Sequence, residues 1–432
     1  MKRSFFLLVL FVVVSGAMVF AGGTAESKAG AAKTTVTMIF DAVQQNHDAI
    51  YQEWAQKYMD QHPDVAVKVT YGPKEVTDLL GLFLQYFAAK RTDVDIYGID
   101  VVWPGDLADQ LVDLNQYGAK AVVGQYFPSM VQNGVVKGRL VAIPYLANAP
   151  VLYYRTDLLQ KYGYAGPPKT WADLSDMATK IEQGERAAGN QDFWGYVYQG
   201  KAYEGLTCDA LEWVSSFGGG TIVDPNGTIT INNPNAVAAL TFAAGTVGTI
   251  APPGVTGFDE ESSRAVWQAG NAAFMRNWPY AYTLGNKSDS VIKGKFDITT
   301  LPAGPAGESA GTLGGLELAV SKYSKNPQKA ADVAFFFAGK DFQKAFTINT
   351  SEPSPVQSLY QDADVLKAIP FFSKMQDVLM HAVPRPSSAT APKYNDVSRL
   401  FFTAAHDALT KQADAASSLQ NLSSQLKDLL NR

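Results

Sequence analysis

Cysteine is nearly absent: Cys208 is the only one in 432 residues. No disulfide can form within the chain, so its stability has to come from packing. Histidine is almost as scarce. His47, His62, His381 and His406 include no His-Glu-x-x-His pair and none adjoins Cys208, which leaves no zinc site or cysteine-nucleophile arrangement to build. Gly-x-Ser-x-Gly and Walker patterns are missing, and no Gly-x-Gly-x-x-Gly follows a strand. Gly218-Gly219-Gly220 and Gly314-Gly315 lack phosphate-loop spacing, and backbone turns explain the first. Charged residues make up only 18% and the net charge is −5, so there is no basic footprint for nucleic acid or an anionic membrane. With 47% hydrophobic residues, a disordered chain is excluded as well.

No long apolar run is present either. Phe5 to Val14 falls well short of the roughly 20 residues that span a bilayer. Preceded by Lys2 and Arg3, and followed by Val19-Phe20-Ala21, it is expected to be a secretory signal over 1–21, cleaved after Ala21. No cysteine stands at that point, so the mature chain is expected to be free of a lipid anchor and to reside in the periplasm. Gly22 to Lys33, rich in Gly, Ala, Ser and Thr, reads as a tether. Aromatics, at 12% with seven Trp and twenty Tyr, fit a large core or a stacking pocket. Composition alone favours the core.

Hydrophobic period then sets the elements. Thr35–Phe40 reads as a strand; Ile50, Trp54 and Tyr58 fall at helical spacing; Val65, Val67, Val69 and Tyr71 alternate. A helix from Val76 to Lys90 and a strand Asp95–Asp100 complete βαβ units, which predict a mainly parallel sheet. Residues 171 to 217 read as largely helical behind Thr170 as N-cap. Asp224-Pro225-Asn226-Gly227 reads as a hairpin turn rather than a calcium loop, which would need more oxygen ligands. Leu316–Val320 reads as a strand and Ala330–Ala338 as a helix. Two apolar stripes, Val397 to Leu409 and Ala415 to Leu429, read as packing faces of tail helices. The expected result is two α/β lobes joined by more than one crossing.

Several segments together resemble the sugar-binding proteins of ABC importers, the maltose and trehalose/maltose group, from about Thr35 to Ala405. Asp93-Val94-Asp95-Ile96-Tyr97-Gly98-Ile99-Asp100 with Val101-Val102-Trp103-Pro104 is the first, and the resemblance makes Asp100 an acceptor for sugar hydroxyls, with Trp103 beside it. A carboxylate suits that task because it accepts from two hydroxyls at once. The second is Gly138-Arg139-Leu140-Val141-Ala142-Ile143-Pro144-Tyr145. It offers Tyr145, and Asn148 where relatives often carry Asp. The third, Gly270 to Tyr280, implies Trp278 as the face on which a pyranose lies, with Tyr280 nearby. Gly314-Gly315-Leu316-Glu317 implies a backbone donor at Gly315 and a carboxyl at Glu317, while Leu316 stands where relatives often have Trp. Val383-Pro384-Arg385-Pro386 holds Arg385 on a stiff backbone, with Tyr394 downstream. Trp213, Gln44 and Gln45 complete the candidate set.

The fold implied is α/β, a two-lobed periplasmic-binding-protein fold with a hinge and an interlobe ligand cleft. Residues 34–146 plus 302–346 are expected in the N-terminal lobe, and 147–301 plus 347–432 in the C-terminal lobe. The function implied is capture of a mono-, di- or short oligosaccharide, trehalose/maltose-type favoured, by hinge closure and delivery to ABC permease membrane subunits. A monomer is expected, without cofactor, catalytic residues, metal, nucleic-acid partner or membrane insertion. Two alternatives stay open: a secreted glycoside hydrolase, which needs only two suitably spaced carboxylates, and a same-fold binder of a non-sugar solute.

Overall fold

The computed structural model describes residues 33–305, 308–380 and 382–431. The expected signal segment, and the tether up to its last residue, lie outside the described residues. Eleven strands occur among those described: β1 (Thr34–Phe40), β2 (Val65–Tyr71), β3 (Ile96–Asp100), β4 (Val135–Val136), β5 (Arg139–Leu140), β6 (Ile143–Asn148), β7 (Val151–Arg155), β8 (Trp194–Val197), β9 (Ala272–Asn277), β10 (Phe296–Thr299) and β11 (Gly314–Val320). Two sheets result, ordered β2-β1-β3-β11-β6 and β10-β7-β9-β8, with β4 and β5 forming a small hairpin.

The βαβ pattern holds where it was read. β1 runs parallel to β2 and β3, and the crossovers carry the helices Asp48–Gln61 and Val76–Ala88. The sheet is nevertheless mixed, because β11 is antiparallel to both β3 and β6. β11 enters from the second lobe, at the end opposite to the one from which a crossover helix would deliver it. β7 likewise opposes β9 and β10, while β8 is parallel to β9. The stretch 171–217, expected to be largely helical, is split by β8 into the helices Trp171–Ala187 and Glu204–Ser216. The first opens with a capping box: Thr170 Oγ1 accepts from Asp173 N at 3.1 Å, and Asp173 Oδ2 from Thr170 N at 3.0 Å. At the expected hairpin, Asp224 Oδ1 accepts from the amides of Asn226 and Thr228.

Packing redraws one expected boundary. The stretch 351–380 was expected in the C-terminal lobe, yet its part 353–360 clothes the first sheet's lobe, while Ser351 and Phe371 meet Thr283 and Tyr282 of the second. Pro353 O accepts from Ala147 N and Pro355 O from Phe127 N, and Tyr360 meets Phe127 edge-on. Val356, Leu359 and Tyr360 are buried there in the same core as Tyr126 and Phe127. The tail helices Tyr394–Leu409 and Ala415–Leu430 then pack on Glu204–Ser216 and Pro234–Thr246 of the second lobe, burying Val397, Phe401, Leu419 and Leu422. Three crossings thus lie side by side: β6 to β7 through Ala149-Pro150, β10 to β11, and the segment at Val383, which pairs with Thr312 of the second. No helix among the described residues is long and apolar enough to cross a membrane.

Candidate binding cleft

A cavity of about 110 Å³ lies between the lobes at these crossings. The first lobe contributes Asp41, Gln44, Lys74 and Asp100; the crossings contribute Leu146, Asn148, Gly314, Gly315, Leu316, Glu352 and Arg385; the second lobe contributes Glu204, Cys208, Glu260, Trp278 and Tyr280. Of the residues picked from sequence, Gln44, Asp100, Asn148, Trp278, Tyr280, Gly315 and Arg385 converge on it.

Trp278 follows β9 directly, and its surroundings fix its pose. The Arg276 guanidinium sits over the indole at 4.5 Å, held by Glu212 and Asp209 in a fully buried ion cluster. Gln199 Oε1 takes a further bond from Arg276 Nη1 at 2.7 Å. The cation thus occupies one face of the indole, and the ring lines the cavity. The ring edge lies against Gly314, where a Cβ would come within 2.9 Å of it. Glycine is needed there for close approach rather than for conformation.

On the opposite wall runs a relay. Tyr145 donates to Tyr51 at 2.8 Å, and Tyr51 donates to Gln44 Oε1 at 3.0 Å. Gln44 and Asn148 both meet Glu352; Asn148 Nδ2 donates to its Oε2 at 2.9 Å. Asn148 Oδ1 keeps no partner among the described residues. Arg385 bridges the lobes: Nη2 donates to Asp100 Oδ1 at 2.8 Å and Nη1 to Glu204 Oε1 at 2.7 Å, while Nε has no partner among the described residues. Tyr394 and Ser398 hold the far side of Glu204.

Charge count overstates the site's negative character. Asp41, Asp100, Glu204, Glu260 and Glu352 face Lys74 and Arg385, yet burial favours the neutral form of Asp41, Glu204, Glu260 and Glu352. It lifts Asp41 to about 6 and Glu352 to about 7, and it raises Glu204 and Glu260 against the pull of Arg385 and Tyr203 respectively. The cleft wall thus holds an indole, an amide oxygen and a guanidinium N–H without partners among the described residues, and carboxyls shifted toward the neutral form.

The other expected residues lie elsewhere, each for a geometric reason. Trp103 is buried behind β3 against Phe83. Tyr145 sits one residue before Leu146 on β6, so the pleat turns it into the core, onto Phe40 and Phe342. Trp213 is nine residues after Glu204, half a turn out of phase at 100° per residue, and packs on Tyr198. Glu317 alternates with Leu316 and enters a neighbouring cavity. Tyr394 stands behind Glu204, and Gln45 is exposed. Glu352, Glu204, Glu260, Asp41 and Lys74 were missed. Of these, Glu204 had a signal, since with Cys208 it gives an i, i+4 pair on the helix face opposite Trp213.

Residues 41–344 match the family described as bacterial extracellular solute-binding protein. A "Probable ABC transporter-binding protein" of Deinococcus radiodurans is 50% identical over 401 residues, 92% of this chain and 94% of the relative. Among solved structures, maltose-bound MalE3 of T. maritima superposes with a TM-score of 0.86 at 38% identity, covering 92% of this chain and all of the other. An ABC transporter solute-binding protein of Agrobacterium radiobacter, in complex with ribitol, shares the fold at a TM-score of 0.79 and 23% identity, over 92% of this chain and 99% of the other.

Proposed function

Because this chain belongs to the bacterial extracellular solute-binding protein family, we propose that it captures a neutral sugar or polyol by closure of its lobes and presents it to an ABC permease. The observation that carries this reading is an indole in the cavity wall, set beside Asn148 Oδ1 and Arg385 Nε, which have no partner among the described residues. A sugar ring has apolar C–H faces and a hydroxyl rim, so a flat aromatic plus peripheral donors and acceptors matches it. A cationic solute would need free anionic charge, whereas Asp100 and Glu204 are already paired with Arg385 and burial raises Glu260 and Glu352. The volume of about 110 Å³ is below the roughly 300–1,000 Å³ of sites for drug-sized ligands. That favours a single ring, an open-chain polyol or a compact disaccharide over a long oligosaccharide.

The relatives support the same range, since one solved structure holds maltose and another ribitol. A trehalose/maltose-type sugar is therefore one member of the proposed class. Residues from both lobes and the crossings surround the space, so a solute gains contacts on closure that an open form lacks. We place no bond-breaking step here. The chain is proposed to act as an exported monomer, outside the cytoplasm. A thermal-shift panel of maltose, trehalose, glucose, mannitol and ribitol tests the reading, because a ligand of the folded state raises Tm. At least one should do so, with no release of reducing sugar from the disaccharides. Hydrolysis abolished by replacing a cleft carboxylate would overturn it.

A further inference from the structure

A second cavity, of about 390 Å³, adjoins the cleft and shares Leu146, Gly314 and Leu316 with it as a common wall. Its own lining is apolar for the most part, including Val101, Met130, Pro144, Leu313 and Leu379. One carboxyl interrupts that surface. Glu317, only 1% exposed, accepts from Asn133 Nδ2 at 3.2 Å through Oε1, while Oε2 has no partner among the described residues. A buried polar atom without a partner forfeits its hydration with nothing in return. Such an atom in a roomy apolar cavity points to a ligand atom that completes it.

We infer that this annexe binds the aglycone of an uncharged aryl or alkyl glycoside, an apolar group with one oxygen acceptor aimed at Glu317. The assignment rests on the reading of the main cleft as a sugar site for the glycone half only. Burial raises the Glu317 carboxyl to about 8, so at neutral pH it carries a proton to donate. Oε1 is already satisfied by Asn133, and the donor therefore falls to the unpartnered oxygen. The ligand must bring an ether, hydroxyl or carbonyl oxygen and no charge, because either sign would be desolvated among aliphatic side chains. Two cavities with a shared wall suit one molecule with a polyhydroxy end and an apolar end.

Saturation-transfer NMR on the full chain with para-methoxyphenol, free of any sugar, tests the annexe by itself. The ring protons should receive saturation from the wild type. Met130→Trp, which fills the annexe from a partly buried position outside the main cleft, and Glu317→Leu should each weaken binding at least tenfold. Glu317→Gln, which keeps a donor, should stay within about threefold. Para-methoxyphenyl α-D-glucopyranoside should bind at least tenfold tighter than para-methoxyphenol, and Met130→Trp should erase that gain. No transfer to the wild type, or equal transfer to Met130→Trp, would overturn the inference. If para-methoxyphenol binds as described while no sugar or polyol shifts Tm, the solute class falls and the annexe stands.

Discussion

Trp278 is posed before any ligand arrives: Arg276 covers one face, Gly314 admits its edge, and Tyr153 donates to its carbonyl at 2.8 Å. Its loss should therefore cost binding more than folding. Trp278→Ala is expected to weaken sugar or polyol affinity by about tenfold or more, with Trp278→Phe intermediate. Calorimetric titration beside melting curves checks this, and a variant that loses stability instead of affinity would make Trp278 a core residue. Glu317 gives a second prediction at this scale. Its carboxyl titrates at about 8 in the folded chain against an ordinary 4.5. Between those values the unfolded chain has shed the proton that the folded chain keeps. Stability from this group is thus greatest below about 4.5 and falls as pH rises through 8, by at most about 1.4 kcal/mol per unit. Glu317→Gln cannot titrate, so wild-type stability minus variant stability, from urea unfolding at pH 5 to 8, should decline with pH. The opposite trend from His47, held down to about 4 by burial, is common to both proteins and cancels. Residue by residue, the chemistry of Asp100, Asn148, Trp278 and Arg385 was legible in the chain. Glu352 and Glu260 were not, because no local pattern marks a side chain that tertiary crossing alone brings to a site.

Among the elements, the junction of β6 and β11 matters most, since both cavities share it. Gly314 lacks a positive φ, so Gly314→Ala is conformationally tolerated, but its Cβ would press within 2.9 Å of the Trp278 ring. The expected outcome is a several-fold loss of sugar affinity and a tryptophan fluorescence shift, with Tm lowered by only a few degrees. Unchanged fluorescence and affinity would show that the indole is not held by this strand. Period and punctuation told most elements in advance: the alternation of β2, the capping box at Thr170 and Asp173, the Asp224 turn, the stripes of the tail helices. The misplaced aromatics came from treating a segment as a unit. Tyr145 and Trp213 belong to the right strand and helix but to the wrong faces, and the periods of 2 and 3.6 already separate them from Asn148 and Glu204. The mixed sheet and the placement of 353–360 were not legible, because they depend on which lobe a returning segment covers.

For the whole molecule, polar contacts join the two lobes, some of them from the cleft wall itself. Lys74 pairs with Asp259 and Glu75 with Lys201 across the lobes, and the amide of Glu204 donates to Thr77 Oγ1 at 3.4 Å. Lys74 and Lys201 are both more than a third exposed, so each bridge contributes only about 0–1 kcal/mol. Lys74→Ala with Lys201→Ala should weaken ligand affinity two- to tenfold and enlarge the radius of gyration of the unliganded chain in small-angle scattering, the fold being retained. An unchanged radius together with unchanged affinity would remove these pairs from any part in closure. The central claim is that the interlobe cleft takes an uncharged polyhydroxy solute, and calorimetric titration of the wild-type chain and Trp278→Ala with maltose, trehalose, glucose, mannitol and ribitol tests it most directly. The wild type should show saturable one-to-one binding of at least one of these, and the variant a loss of about tenfold or more. Absence of heat with every neutral sugar and polyol, alongside saturable binding of a charged solute, would contradict it.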